Sequence, residues 1–495
     1  EFKKRLFNLI GNAANYVEIK TFHSFCFDLL GKVGSLERSE DILKEAIEKI
    51  NHNNVETSRI TKTVLVIDEA QDMDGDEYQL INSLMRHNED MRVIAVGDDD
   101  QNIYEFRGAS SKYLEHFMLV NNSVKHELVE NYRSKSNLVE FTNQFVNQIQ
   151  NRQKELPIIS IRRGLGRIRV VRYQSNNLIL PVVNDILSTD LRGTTCVLTK
   201  SNEEALQITG FLLNSGYQVK LIQSNEGFSL INLLEFRFFF DKLSFDEDVG
   251  LVNDDLWENA KSELNDQFRF SNKLEICNTI IKDFEETNPK NKFKSDLVVF
   301  IRESKLEDFY NSNGESIFVS TIHKAKGREF DNVFLMLENF IPKTDEALRQ
   351  LYVAMTRAKE NLHIHYNSNF LDFIKTENLE NIDNIDTYFP PNVLSMHLTF
   401  KDIWLDYFID KQHFISTLVS GDILTINGYE CLNSKGESIL KLSKSFVRKL
   451  EALNEMHFAL KKAKINFVVF WKKENSDQEI KIILPELYFE RVPVV

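Results

Sequence analysis

The stretch Val64-Leu65-Val66-Ile67-Asp68-Glu69-Ala70-Gln71-Asp72 ends an apolar run in two adjacent carboxylates. Four consecutive large apolar residues, three of them β-branched, predict a strand buried on both faces. Strands of that kind belong to parallel sheets covered by helices, and such sheets bind ligands at the carboxyl ends of their strands. There Asp68 can hold a magnesium ion and Glu69 can polarise an attacking water. The plainer alternative is that both acids cap the helix that follows.

The alternation continues outward. Thr63 to Ile67 predicts a strand and Tyr78 to Arg86 a helix; Met91 to Val96 and Ser111 to Phe117 repeat the pair. Thr195 to Leu198, Ser316 to Ser320, Asn332 to Met336 and Asn361 to His365 also read as buried strands near helical periods. This order predicts an α/β fold with parallel sheets covered by helices. Phe245 to Phe309 is charged and helical in period, as an insertion would be. Beyond Pro390-Pro391 the pattern predicts a helix over Phe400 to Leu418 and a strand pair near Asn466 to Trp471 and Glu479 to Leu484. Together these form a small α+β or barrel-like module.

Of 495 residues, 42% are hydrophobic and 27% charged, which excludes a disordered chain. Cys26, Cys196, Cys277 and Cys431 share no metal-ligand spacing, so neither a zinc site nor a disulfide framework is expected. That favours a reducing compartment. The longest apolar stretch, Ser229 to Lys242, contains Glu235, Arg237 and Asp241 and cannot span a bilayer, so no membrane partner is expected. A net charge of -14 gives no bulk attraction to nucleic acid, which leaves the question to local motifs.

A second strand end reads Gly97-Asp98-Asp99-Asp100-Gln101-Asn102-Ile103-Tyr104-Glu105-Phe106-Arg107-Gly108-Ala109. Gln101 can sense a terminal phosphate, and Tyr104 and Phe106 are suited to stacking on bases, unless both rings are core. Glu130-Asn131-Tyr132-Arg133-Ser134 sets an aromatic that could stack on adenine beside an arginine that could reach a phosphate. Thr321-Ile322-His323-Lys324-Ala325-Lys326-Gly327-Arg328-Glu329 offers hydroxyl, imidazole and ammonium donors and a carboxylate. Leu351-Tyr352-Val353-Ala354-Met355-Thr356-Arg357 presents Arg357 from a helix, the usual supply of charge to a transferring phosphoryl group. A basic run, Arg152, Lys154, Arg162, Arg163, Arg167, Arg169 and Arg172, either contacts phosphates or is a solvated face.

With Thr21 to Cys26 and Val197 to Asn202, these segments make seven motifs in an order that resembles the UvrD/Rep/PcrA family of superfamily-one DNA helicases. The resemblance covers about Phe2 to Tyr366. It implies two RecA-like lobes with ATP and Mg2+ between them, and a single DNA strand moved 3′-to-5′ toward a single-strand/duplex junction. By resemblance Asp68 is the magnesium carboxylate and Glu69 the catalytic base. Gln101 and Arg107 couple nucleotide to DNA, and Tyr132 stacks on adenine. Arg133 and Arg357 are the arginine fingers, with Gly327 and Glu329 at the nucleotide. Thr21, Phe22, His23, Tyr104, Phe106, Asn202, Thr321 and His323 match the DNA track. Phe106 stands where many relatives carry Trp, and Lys200 where Arg is common.

No GxxxxGK[ST] loop occurs, and Gly31-Lys32 is followed by Val33. With Glu1-Phe2 in place of an initiating Met, the expectation is a truncated motor, inactive alone, whose P-loop lies on a missing N-terminal segment. The expected domains are 1–127 (partial first lobe), 128–244 and 312–389 (second lobe), 245–311 (mainly helical insertion) and 396–495 (accessory module). The tail faintly resembles extensions that join RecQ-type to UvrD-type motors. The composition and motifs suggest a cytoplasmic, nucleoid-associated bacterial protein of DNA repair or recombination. Two alternatives are a decayed motor kept as a DNA-binding scaffold and a helicase–nuclease subunit. The latter rests on Glu479-Ile480-Lys481, which echoes a metal-nuclease motif.

Overall fold

Val64–Ile67 forms the expected strand, β1, and pairs in parallel with β2 (Arg92–Ala95), Val64 opposite Arg92 and Ile67 opposite Ala95. The computed structural model describes residues 2–31, 41–119, 123–222, 227–243, 251–288, 292–309, 316–473 and 478–492. Lys32 and Val33, and residues 245–250, 289–291 and 310–311 of the expected insertion, lie outside these. Ile67, Ala70, Met73 and Ile81 bury the inner side of the β1–β2 pair. Val64, Val66 and Ile94 are 49%, 60% and 51% exposed on the other. Parallel strands are ordinarily covered on both faces, so this pair is a sheet with one face open.

The helix Gly75–His87 follows β1 and starts from a capping box. The Asp74 carboxylate accepts from the Glu77 N–H at 2.9 Å, and the Glu77 carboxylate accepts from the Asp74 N–H at 3.1 Å.

The second lobe begins with β3 (Glu130–Lys135), helix Ser136–Val146 and β4 (Ile159–Arg162), which pairs in parallel with β3. Its main strands are β5 (Arg167–Tyr173), β6 (Thr195–Thr199), β7 (Val219–Leu221), β8 (Ile317–Thr321), β9 (Phe330–Leu337), β10 (Ala358–Tyr366) and β11 (Leu379–Asn384). They form one wholly parallel sheet in the order β11-β5-β10-β9-β6-β8-β7. Every residue of β6 and β8 is buried, the hydroxyl side chains of Thr195, Thr199, Ser320 and Thr321 included.

Both lobes lie in one compact unit, residues 20–221 and 312–390. A second unit joins residues 2–19, 222–311 and 391–495. Its helices Leu234–Lys242, Asp254–Gln267 and Leu274–Thr287 bury Phe239, Trp257 and Phe284 ring against ring. Apart from a short pair in the insertion, Leu251–Val252 with Lys292–Phe293, its strands are β12 (Val393–His397), β13 (Ile423–Asn427), β14 (Glu430–Leu432), β15 (Ser438–Lys441), β16 (Phe458–Lys472) and β17 (Glu479–Arg491). They form an antiparallel half-barrel in the order β12-β17-β16-β13-β14-β15. Two register shifts in the long β16–β17 hairpin, one beside Pro485, give the curl. A single apolar core, from Phe236 and Trp257 to Phe467 and Ile483, serves the helical insertion and the tail together.

The helix expected over Phe400 to Leu418 does not form. Leu405–Lys411 is a 3-10 segment and only Gln412–Ile415 is α-helical. The local polar groups are claimed elsewhere. Asp402 accepts from the Thr399 N–H and hydroxyl, and the Trp404 N–H donates to the Lys441 carbonyl. Among the described residues no helix is long and apolar enough to cross a membrane.

Burial pushes the Glu77 carboxyl up to about 7, opposed by the Asp74 N–H and reinforced by the Asp74 and Asp72 charges. A raised carboxyl adds stability that is complete below the ordinary Glu value and is lost as pH rises through about 7. Glu77→Gln keeps the capping acceptor. It should match the native chain in urea unfolding at pH 5 and exceed it at pH 9 by on the order of 1–2 kcal/mol.

Candidate nucleotide and nucleic-acid site

The acids that close β1 are both exposed, and neither caps the helix Gly75–His87; Asp74 does. Asp68 accepts from the Glu69 N–H at 3.0 Å. Glu69 has φ 51 and ψ 40, a left-handed conformation that a residue with a Cβ adopts at a cost of about 1–3 kcal/mol. Gln71, fully buried, fixes its carboxylate: Nε2 donates to Glu69 Oε2 at 2.5 Å, and Oε1 accepts from the Asp98 N–H at 2.9 Å. Gly97 makes this approach possible, because a Cβ there would lie 2.6 Å from Gln71 Oε1.

From Asp98 the polar chain runs on. Gln101 Nε2 donates to Asp98 Oδ2 at 2.8 Å, and Arg357 Nη2 donates to Gln101 Oε1 at 3.0 Å. Arg357 is 1% exposed, and its guanidinium also donates to the carbonyls of Val353 and Arg328. Burial lowers its pKa to about 10, helped by the Arg133 charge and opposed by Glu69. Arg133 in turn donates to Glu329 at 2.6 Å and to the Thr356 carbonyl. Glu69, Gln101, Arg133, Glu329 and Arg357 are thus brought together. Tyr132 is 69% exposed, its hydroxyl bonded to Glu130. Gly327, at φ +80, makes the turn before Glu329.

Other contacts join the lobes without having been signalled in the sequence. Lys326 Nζ reaches Asp72 at 2.5 Å and the Gln101 carbonyl at 2.8 Å. Arg349 donates to Glu105 at 3.0 Å and to the Asn151 carbonyl at 2.9 Å. Asp100, fully buried, takes both guanidinium donors of Arg152 at 2.9 Å, and Lys154 bridges Asp98 and Asp100. Among the described residues Asp98, Asp99 and Asp100 are the one cluster of three acids close enough to share an ion, and these two cations already face it.

Six of the seven cations of the basic run are ion-paired, and Arg163 is exposed. Arg162 pairs with Glu360, Arg167 with Glu380, Arg169 with Asp185, and Arg172 with Asp372 and Asp383. The nuclease-like acid Glu479 is held by Arg237 at 2.7 Å.

Tyr104, Phe106 and His323, which the resemblance assigns to the DNA track, cluster with ring centroids 5.7–6.5 Å apart. Phe106 is 63% exposed, so the rings are not simply core. Arg107 lies over Tyr104 and Phe106 at 5.3 and 5.5 Å, which places it with the aromatics. Burial, then the Arg107 charge, lower the His323 pKa, and its Nε2 is buried without a hydrogen-bond partner. Asn202 accepts from Lys324 at 2.8 Å, and Thr321 is buried at the end of β8. Thr21 caps the helix Phe22–Leu29 through the Ser24 N–H, with Phe22 half-buried and His23 exposed beside it.

Residues 126–232 and 244–369 match the UvrD-like helicase C-terminal domain, and residues 38–119 the UvrD/REP helicase N-terminal domain. The chain belongs to the UvrD/Rep-like superfamily-one helicases. It is 23% identical over 420 residues to a protein of Mycoplasma pneumoniae named as a DNA helicase II homologue, with 64% of this chain and 57% of that one covered. It is 23% identical over 346 residues to the Gabija protein GajB of Bacillus cereus, covering 63% of this chain and 65% of that one. It is 34% identical over 96 residues to the ATP-dependent DNA helicase Rep of Buchnera aphidicola, 19% of this chain and 14% of Rep. The chain therefore spans less than two thirds of the length of each of these relatives.

Arg152→Ala leaves the buried Asp100 with Lys154 alone. Chemical denaturation should show a loss of about 2–4 kcal/mol, while the salt dependence of DNA binding stays unchanged.

Proposed function

We propose that this chain is the C-terminal portion of an ATP-dependent DNA motor that moves 3′-to-5′ along single-stranded DNA. The observation that carries this is the unbroken polar chain from Glu69 through Gln71, Asp98 and Gln101 to Arg357. One end is the candidate base and the other a buried guanidinium that joins the two lobes. Asp68 would hold Mg2+, which neutralises phosphate charge when bound. Glu69 would orient the attacking water, Tyr132 would face the adenine, and Arg133 and Arg357 would meet the developing charge. The Gln101 amide lies between the acidic and basic halves, so phosphate contacts that shift it would be felt at Asp98 and at the adjoining Tyr104–Phe106 loop. His323, whose protonation burial and the Arg107 charge disfavour, offers stacking area.

The open face of β1–β2 supports a further part of this reading. A phosphate-cradling loop would come on polypeptide that completes this sheet, carried upstream of a longer protein such as a RecQ-type fusion. The DNA substrate would be a single strand or a single-strand/duplex junction met in repair or recombination at the bacterial nucleoid.

Residues 1–495 alone should release no phosphate from ATP with single-stranded DNA. A longer polypeptide bearing the loop should do so, and Arg357→Lys in it should lower turnover at least about 10³-fold. Phosphate release by the short chain would contradict the proposal. Phe106→Ala with His323→Ala should weaken oligothymidylate binding by roughly tenfold or more, read by fluorescence anisotropy.

A further inference from the structure

The tail contrasts in charge with the rest of the molecule. Residues 396–495 carry fourteen Lys+Arg against thirteen Asp+Glu, a net +1 within a chain of net -14. On this module Trp404 is 50% exposed, whereas Trp257 is fully buried and Trp471 half-buried. An indole left half in solvent and rigidly held is a ready contact surface.

The holding is specific. The Trp404 N–H donates to the Lys441 carbonyl at 2.9 Å, and the neighbouring Ile403–Leu442 bridge pins the segment to the end of β15. Tyr407 lies beside the indole, centroids 5.9 Å apart and planes at 33°, with its hydroxyl bonded to Ser438 at 2.7 Å. An ammonium group lies over each ring: Lys441 is 5.7 Å from the Trp404 centroid and Lys411 5.1 Å from that of Tyr407. Ser443, which starts the helix Lys444–Glu455, donates to the Lys401 carbonyl and so sets that helix against the platform. Lys444 and Arg448 are exposed on it. Of the nearby acids Asp406 pairs with Lys473, Glu430 with Ser438 and Lys441, and Asp402 with Thr399, while Asp410 beside Lys411 is exposed.

We propose that Trp404 and Tyr407, with Lys411 and Lys441, form a second contact for a single nucleic-acid strand on the C-terminal module. Bases stack on the two rings and phosphates meet the ammonium groups, a combination that tolerates any sequence because every base has a π-face. The inference takes the identity of its ligand from the DNA-motor reading but uses none of that site's residues.

The test is Trp emission and anisotropy with oligothymidylate on the full chain. The native chain should show quenching. Trp404→Phe should lose most of that quenching yet keep near-native affinity, since a ring remains. Trp404→Ala should weaken binding about fivefold or more. Lys411→Gln with Lys441→Gln should flatten the salt dependence by about one to two in log–log slope. An unquenched native chain, or Trp404→Ala with native affinity, overturns the proposal and leaves the platform to a protein partner. Phe106→Ala with His323→Ala separates the two readings. Native affinity in that variant sinks the lobe site alone, while persistent Trp404-dependent quenching sustains the platform.

Discussion

Arg357 carries a charge at almost complete burial, and the surrounding lobe contacts are arranged around that fact. An unpartnered guanidinium there would cost several kcal/mol. Its donors are met by the carbonyls of Val353 and Arg328, by Thr356 and by the Gln101 amide oxygen. Three of these partners are local to the second lobe; the fourth belongs to the first. The amide orientation of Gln101 follows, because its nitrogen must then face Asp98. Asp98 in turn is placed by Gln71 and Lys154. A change at any member of the chain must be accommodated by the rest.

The site combines strain and rigidity. Glu69 is held left-handed at the end of a short strand, and Gly97 is required by the approach of Gln71. Elsewhere the lobe interface is closed by ion pairs with at least one buried member, Lys326–Asp72, Arg349–Glu105 and Arg152–Asp100. In the other unit, the helical insertion and the half-barrel share one core, so neither segment is an independent appendage.

Much of the lobe architecture was legible in the sequence because parallel strands are marked by unbroken apolar runs. Val64–Ile67, and the runs 196–198 and 317–319 within β6 and β8, are such cases. The acids at strand ends were legible for the same reason. The pairing of charges was not. Arg152 and Arg169 look alike in sequence, yet one grips Asp100 across the lobes and the other pairs with Asp185 within its own lobe. Lys326 sits two residues from Lys324, but only their different directions separate the Asp72 contact from the Asn202 contact. The tail was misread over Phe400 to Leu418 because apolar spacing alone cannot show that the Trp404 N–H is claimed by β15.

The account depends on the first lobe's acids and the second lobe's cations meeting in one crevice. A double-mutant cycle on Asp72→Asn and Lys326→Met, followed by urea unfolding, tests this directly. A shared crevice predicts a coupling of about 1–3 kcal/mol between the two positions. Strictly additive effects would mean that the lobes do not meet there, and would contradict the account.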